Sequence, residues 1–376
     1  MLPERVSAGD EWLWATFRHG RAAESSKLAG EEEMDWTSRR RIAESILGAV
    51  GLTPMVRLNR VTKGVGPQIC AKIEYYSPTG SVKDRIIPYI ISRAEERGEL
   101  RPGMTLIEGT SGNTGIAVAM VGAVKGYPVI IVMPEGMSEE RKQTIRALGA
   151  ELVLTPGGET DIDLVLEKVC EIKRQRLGEV FEIGQFVNPD NPEAHYLTTG
   201  PEIWEQTDGQ LDALVVAPGS GGTLSGCARF LKERRPSVLV FAAEPAECAV
   251  IAGGRWGTHR VEGVGDGFIP DVLDVSLLDG VVTVSSEEAL EMSRRLAREE
   301  GIFCGISSGC NVAAALKVAR ARPDLSLIVT IINDNGLRYL STELCGCCPA
   351  ALPSREPPRE IAGRERLAGK ELVIIN

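Results

Sequence analysis

The sequence predicts an α/β fold of two doubly wound domains with parallel-type sheets. Three observations carry this. From about residue 45 to 345, short β-rich apolar runs alternate with helix-length amphipathic segments, the rhythm of strand–helix–strand units. Turns rich in glycine and hydroxyls sit where a run gives way to a helix. The runs also outnumber what one sheet comfortably holds, so the chain divides in two with a site in the cleft between.

Taken in order, residues 1–44 are polar, lack the rhythm and read as an N-terminal extension, partly disordered. Met34, followed by Asp35-Trp36 and the basic run Arg39-Arg40-Arg41, reads as the natural start. Strands are expected over 104–108, 128–133, 151–154, 213–217, 238–242 and 327–332, each a short apolar run bounded by turn residues. Helices are expected over 86–94, 114–125, 138–148, 161–176, 192–205, 222–234, 286–300 and 311–321. Several open on Ser, Thr or Asp at a capping position and several stop at Gly. After Leu344 comes Cys345-Gly346-Cys347-Cys348-Pro349 and then a Pro/Arg/Glu-rich stretch, which reads as a loosely ordered C-terminal tail over 346–376.

Composition narrows the function classes. The 42 basic and 52 acidic residues are mixed and leave a net charge of -10, which argues against a nucleic-acid surface. No run approaches the roughly 20 apolar residues of a membrane helix, and the first thirty residues have no apolar signal core. A cytoplasmic protein is expected. Cys70, Cys170, Cys227, Cys248, Cys304 and Cys310 are spread singly and read as buried thiols. Cys345, Cys347 and Cys348 are clustered, but the histidines are only His19, His195 and His259; without a well-spaced fourth ligand no metal is expected.

Four turns carry chemistry. Pro78-Thr79-Gly80-Ser81-Val82-Lys83-Asp84-Arg85 leads into the helix over 86–94. A lysine there feels the positive end of the helix dipole, which disfavours its ammonium form, and a neutral amine is what Schiff-base chemistry needs. Alone, the motif equally describes an exposed first-turn lysine. Thr110-Ser111-Gly112-Asn113-Thr114-Gly115 joins a strand to a helix and offers converging N–H groups to an anion such as a carboxylate, or is simply a capped turn. Pro218-Gly219-Ser220-Gly221-Gly222-Thr223 lets backbone wrap a phosphate. It is no dinucleotide fingerprint, because the third position falls on Leu224, and no P-loop, because no Gly-Lys follows. Gly305-Ile306-Ser307-Ser308-Gly309 precedes the helix expected from Asn311 and alone is a pair of capping serines.

Together, in this order, the four turns resemble the cysteine synthase (O-acetylserine sulfhydrylase) and cystathionine β-synthase family of fold-type-II pyridoxal-phosphate enzymes. Gly51-Leu52-Thr53-Pro54, Gln185-Phe186, Thr198-Thr199-Gly200-Pro201-Glu202-Ile203-Trp204, Gly267-Phe268-Ile269-Pro270 and Arg338-Tyr339-Leu340-Ser341-Thr342 agree as well. The resemblance implies a tryptophan synthase β-like architecture, with a large cofactor-binding domain over 45–76 plus 188–345 and a smaller mobile domain over 77–187. It implies pyridoxal 5′-phosphate as cofactor, with Lys83 forming the internal aldimine and serving as the catalytic base. Gly219, Ser220, Gly221, Gly222 and Thr223 would cradle the phosphate, Asn113 would meet the ring hydroxyl oxygen and Ser307 the pyridine nitrogen. Thr110, Ser111, Gly112, Thr114 and Gln185 would grip the substrate carboxylate.

A neutral serine at the ring nitrogen makes the ring a weaker electron sink than an aspartate would. The implied reaction is therefore β-replacement, O-acetyl-L-serine plus sulfide to L-cysteine plus acetate through an α-aminoacrylate. A cystathionine β-synthase-like reaction with a bulkier nucleophile, or O-phosphoserine as donor, is the alternative; a catalytically silent scaffold is the reading outside enzymes. A homodimer is implied, and serine acetyltransferase is a possible partner. Two features depart from the family pattern. Pro78-Thr79-Gly80 stands where a second Gly or Ala-Gly is usual. Asp266 stands in Gly265-Asp266-Gly267-Phe268 where sulfide-using relatives carry a small neutral residue. A solvated turn aspartate is the simpler expectation; a carboxylate that repels hydrosulfide and holds the ammonium of an amino-acid nucleophile is the other.

Overall fold

The computed structural model describes residues 34–158, 161–347, 358 and 360–376. Most of the expected extension and Cys348 therefore lie outside the described residues. The strands are β1 (Met55–Arg57), β2 (Gln68–Ile73), β3 (Thr105–Gly109), β4 (Val129–Pro134), β5 (Glu151–Thr155), β6 (Val180–Glu182), β7 (Ala213–Val216), β8 (Leu239–Pro245), β9 (Gly280–Val284), β10 (Leu327–Ile332) and β11 (Val373–Ile375). Seven make one sheet, ordered β1-β2-β10-β7-β8-β9-β11, and four make a second, ordered β5-β4-β3-β6. Every described pairing is parallel except β1 with β2. Two parallel-type sheets are thus present, as expected.

The helices are α1 (Ile86–Glu96), α2 (Asn113–Lys125), α3 (Glu139–Ala147), α4 (Ile162–Gln175), α5 (Asp190–Leu197), α6 (Thr199–Gln206), α7 (Gly222–Arg234), α8 (Ser286–Arg295) and α9 (Ile306–Ala321). They cover both faces of the strands, so central strands are buried throughout: all of β4 and β7 is buried, as parallel sheets require. The large sheet lies between two apolar layers. Ala71, Val215, Phe241 and Val282 face one, Leu214, Val240, Val281 and Val329 the other, the alternation of a strand.

Four expectations are corrected. The helix over 192–205 is two helices broken at Thr198 (φ -126, ψ -68), because Pro201 lacks an N–H and its ring excludes a regular turn back to Leu197. The helix over 286–300 keeps its Ser285/Glu288 capping box, but α8 stops at Arg295 and a wider π turn runs on to Glu300. The helix expected from Asn311 already begins at Ile306, so Ser307 and Ser308 stand in its first turn. The C-terminal stretch is not a loose appendix over 360–376. Its apolar end forms β11 on the free edge of β9, and Ile361, Leu367 and Leu372 pack on the large-sheet core.

Candidate active site

Lys83 is placed by a short helical turn, Val82–Arg85, that runs directly into α1. Ser81 pairs antiparallel with Asp334 just before it, which ties the turn to the large sheet beyond β10. Lys83 faces a cleft between the two sheets. Thr110, Ser111, Asn113, Thr114 and Gln185 line one wall, and Gly219, Ser220, Gly221, Thr223 and Ser307 line the other. The four turns singled out from sequence therefore converge. Gly112 and Gly222 do not line the cleft. A Cβ on Gly112 would fall 2.2 Å from Cδ of Arg141, and one on Gly222 would fall 1.8 Å from Oδ1 of Asn191; both are glycine because of what lies behind the loops.

Three helices that open on the cleft, α2, α7 and α9, begin without a side-chain cap. Their first N–H groups are left for another acceptor, and helix N-termini favour anions. The 218–223 turn also has no room for side chains. A Cβ on Gly219 would lie 2.4 Å from the Gly263 carbonyl oxygen, and one on Gly221, at φ +90, 2.6 Å from Cβ of Leu273. A backbone cradle for a phosphate, a second one for a carboxylate and a lysine amine between them fit pyridoxal phosphate and an amino-acid substrate.

The side chains of the cleft are held by residues that local sequence did not reveal. Asn113 donates from Nδ2 to Oδ2 of Asp334 (2.7 Å) and accepts at Oδ1 from Arg338. Arg338 also donates to the Thr79 carbonyl, and the Tyr339 hydroxyl donates to Asp334 (2.7 Å). Thr114 donates to Oε1 of Gln185 (2.7 Å). The backbone N–H groups of Gly184 (2.8 Å) and Gln185 (3.4 Å) are received by Glu108, a carboxyl that burial pushes up to about 8. Asn191 donates to Ser220 (2.9 Å), and His195 bridges Thr223 (3.1 Å) and Thr199 (2.8 Å). Burial, then the charge of Arg85, holds His195 well below its ordinary pKa, so it serves as a neutral imidazole. Asn333 donates to Ser307 (3.2 Å).

Asp266 corrects the simpler expectation for it. It is 8% exposed and lines the same cleft as Lys83. Burial pushes its carboxyl up to about 6 against the pull of Lys83.

Residues 46–334 match the family described as pyridoxal-phosphate dependent enzyme. The cysteine synthase of Staphylococcus aureus is 45% identical over 302 residues, which cover 80% of this chain and 96% of that protein. The chain belongs to the cysteine synthase family of pyridoxal-phosphate-dependent enzymes. Cysteine synthase 3 of Caenorhabditis elegans is 43% identical over 310 residues, 82% of this chain and 91% of that protein. The solved cysteine synthase of Entamoeba histolytica has a TM-score of 0.78 at 40% identity, with 88% of this chain and 96% of that chain covered. The cofactor is thus pyridoxal phosphate. Among the described residues no cluster of metal-ligating side chains occurs, and no helix is long and apolar enough to cross a membrane.

Proposed function

We propose that the enzyme performs β-replacement on an activated L-serine, converting O-acetyl-L-serine and sulfide to L-cysteine and acetate. The observation that carries this is the convergence of Lys83 with three uncapped helix starts on one cleft. Bound there, the cofactor supplies an electron sink for the charge left at the substrate's α-carbon. Lys83 would hold it through Nζ. The amides and hydroxyls of Gly219, Ser220, Gly221 and Thr223 would hold its phosphate, Asn113 would face its ring oxygen and Ser307 its ring nitrogen.

Thr110, Ser111, Thr114 and Gln185 take the substrate carboxylate, with α2's first N–H groups beneath it. Lys83 removes the α-proton at Nζ and later returns it, as a general base and acid must. Acetate departs from Cβ once that proton has gone, and the cleft walls keep water from the reacting carbons. The segment 77–187 serves as the mobile unit against 45–76 plus 188–345. A cytoplasmic homodimer with serine acetyltransferase as a partner completes the reading; the family resemblance supports it, and light scattering with and without that enzyme tests it.

Lys83→Ala is the deciding variant. Turnover is expected to fall by at least ~10²–10⁴-fold, the range of a general acid–base group, and the protein-bound cofactor absorbance is expected to disappear. Retention of both refutes the assignment.

A further inference from the structure

The chain between β8 and β9 puts glycine at alternate positions, and Gly263, Gly265 and Gly267 all have positive φ (+85, +74 and +85). The vacant Cβ positions of Gly265 and Gly267 explain the loop's orientation. A Cβ on Gly265 would fall 2.8 Å from Cγ of Pro245, and one on Gly267 would fall 2.5 Å from Nε1 of Trp256. His259 Nε2 lies 2.8 Å from the Gly265 carbonyl and fixes the loop from behind. The loop therefore packs by Gly265 and Gly267 and presents Gly263, Val264 and Asp266 to the cleft. A carboxylate so placed is aimed by the fold and is not a solvated turn residue.

In the resting cleft the charge that faces Asp266 is the Lys83 ammonium. The proposed reaction engages that amine, because Lys83 is joined to the cofactor before turnover and carries the α-proton between its removal and its return. A buried carboxylate is costly unless cations or donors meet its charge. It also repels an incoming anion and attracts an incoming cation, effects that grow as water is excluded.

We infer that Asp266 selects the acceptor of the reaction, receiving the ammonium group of an amino-acid thiol and disfavouring the hydrosulfide anion. This rests on the β-replacement reading. In the replacement it serves, Lys83 takes the α-proton and acetate leaves Cβ with the electron pair of the Cβ–O bond. The thiol sulfur then forms a bond to Cβ with its own electron pair, Lys83 returns its proton to the α-carbon, and the thiol proton passes to solvent. The product is a thioether that joins two amino acids.

The test uses the holoenzyme, wild type against Asp266→Asn and Asp266→Ala, with O-acetylserine as donor and three acceptors. These are homocysteine, its desamino analogue, which keeps thiol and carboxylate but has no ammonium, and sulfide. For homocysteine, kcat/KM is expected to fall about tenfold in both variants, mainly through KM, as for removal of one side of an ion pair. For the desamino analogue and sulfide, kcat/KM is expected to rise a few-fold, because a repelling charge has gone. Opposite directions on one protein cannot come from misfolding. An equal loss on homocysteine and the desamino analogue would show a base or a structural role and overturn the inference, as would an unchanged ranking of acceptors. If wild type releases acetate with sulfide but the variants behave alike, only this inference fails. If no acceptor is turned over at all, the replacement reading fails and this one goes with it.

Discussion

Two residues beyond Lys83, Arg85 donates from Nε to Glu74 (2.5 Å) and from both terminal nitrogens to Glu202 (2.7 Å each). Lys72 donates to the same Glu202 (2.6 Å). All four side chains are buried, so two cations and two carboxylates compensate one another where each alone would be costly. Burial pushes the Glu202 carboxyl up, but Arg85 and Lys72 outweigh it and hold it at about 2. Its contribution to stability is therefore full above the ordinary glutamate range and is lost as pH falls toward about 2. Glu202→Gln leaves the cations in excess and is expected to cost ~3–5 kcal/mol in denaturant unfolding near neutral pH; a loss under about 1 kcal/mol would mean the cluster is not the anchor of the Lys83 turn. Glu108 has the opposite sign. With a native pKa of about 8, it holds a proton that the unfolded chain has already released, so its contribution weakens as pH rises from about 4.3 through about 8. Glu108→Gln should flatten that part of the stability profile, and a slope identical to wild type would show that Glu108 is ionised in the fold.

At the scale of the element, legibility followed burial and length. The strands β3, β4, β5, β7, β8 and β10 lie close to their expected bounds because each is a continuous apolar run. β1, β6 and β11 are three residues long, too short to give a period. β2 contains Lys72, which the distant Glu202 and Gln206 and the Thr53 carbonyl make compatible with a buried strand. The site shows the same division. Lys83, Asn113, Ser307 and the 219–223 loop stand on turns whose glycines and hydroxyls are local signals, with their roles taken from the family resemblance, while Asp334, Arg338, Asn191 and His195 act on partners far away in sequence. The tail is the clearest case. Arg366 donates to the carbonyls of Pro270 (2.8 Å) and Leu273, and Leu273 is the residue packed behind Gly221 in the proposed phosphate loop. Arg366→Ala removes hydrogen bonds from a charged donor, each ~1.5–3 kcal/mol, and lets that backing segment relax. Cofactor retention in dialysis should weaken several-fold with the far-ultraviolet circular dichroism unchanged. Unaltered retention would leave the tail as an edge cover for β9 and nothing more.

Across the whole molecule, the polar contacts between the two sheets' surroundings stand around the cleft and do not fill it. Arg97 reaches Asp190 (2.7 Å), Asn113 reaches Asp334 (2.7 Å), Ser341 reaches Glu140 (2.7 Å) and Arg141 reaches Glu262. What lies inside is a set of uncapped helix starts, on α2 from one side and on α7 and α9 from the other. An anion held by these ends joins the two halves, so the cofactor should act as a structural element of the native state as well as a reagent. Resolving the protein to its apo form is expected to lower Tm by about 3 °C, the shift that ~2.7 kcal/mol of ligand linkage gives a chain of this size. Inorganic phosphate added to the apo protein should recover part of that loss, because the 219–223 cradle recognises the phosphate group whether or not a ring is attached. Phosphate also stabilises proteins by exclusion from their surfaces, and Gly221→Ala separates the two effects. Its Cβ has no room against Leu273, so the cradle is spoiled while the rest of the surface is kept. A larger recovery in wild type than in Gly221→Ala, which keeps only the exclusion effect, is the expected outcome, and an equal rise in both would mean that no anion is bound between the helix ends.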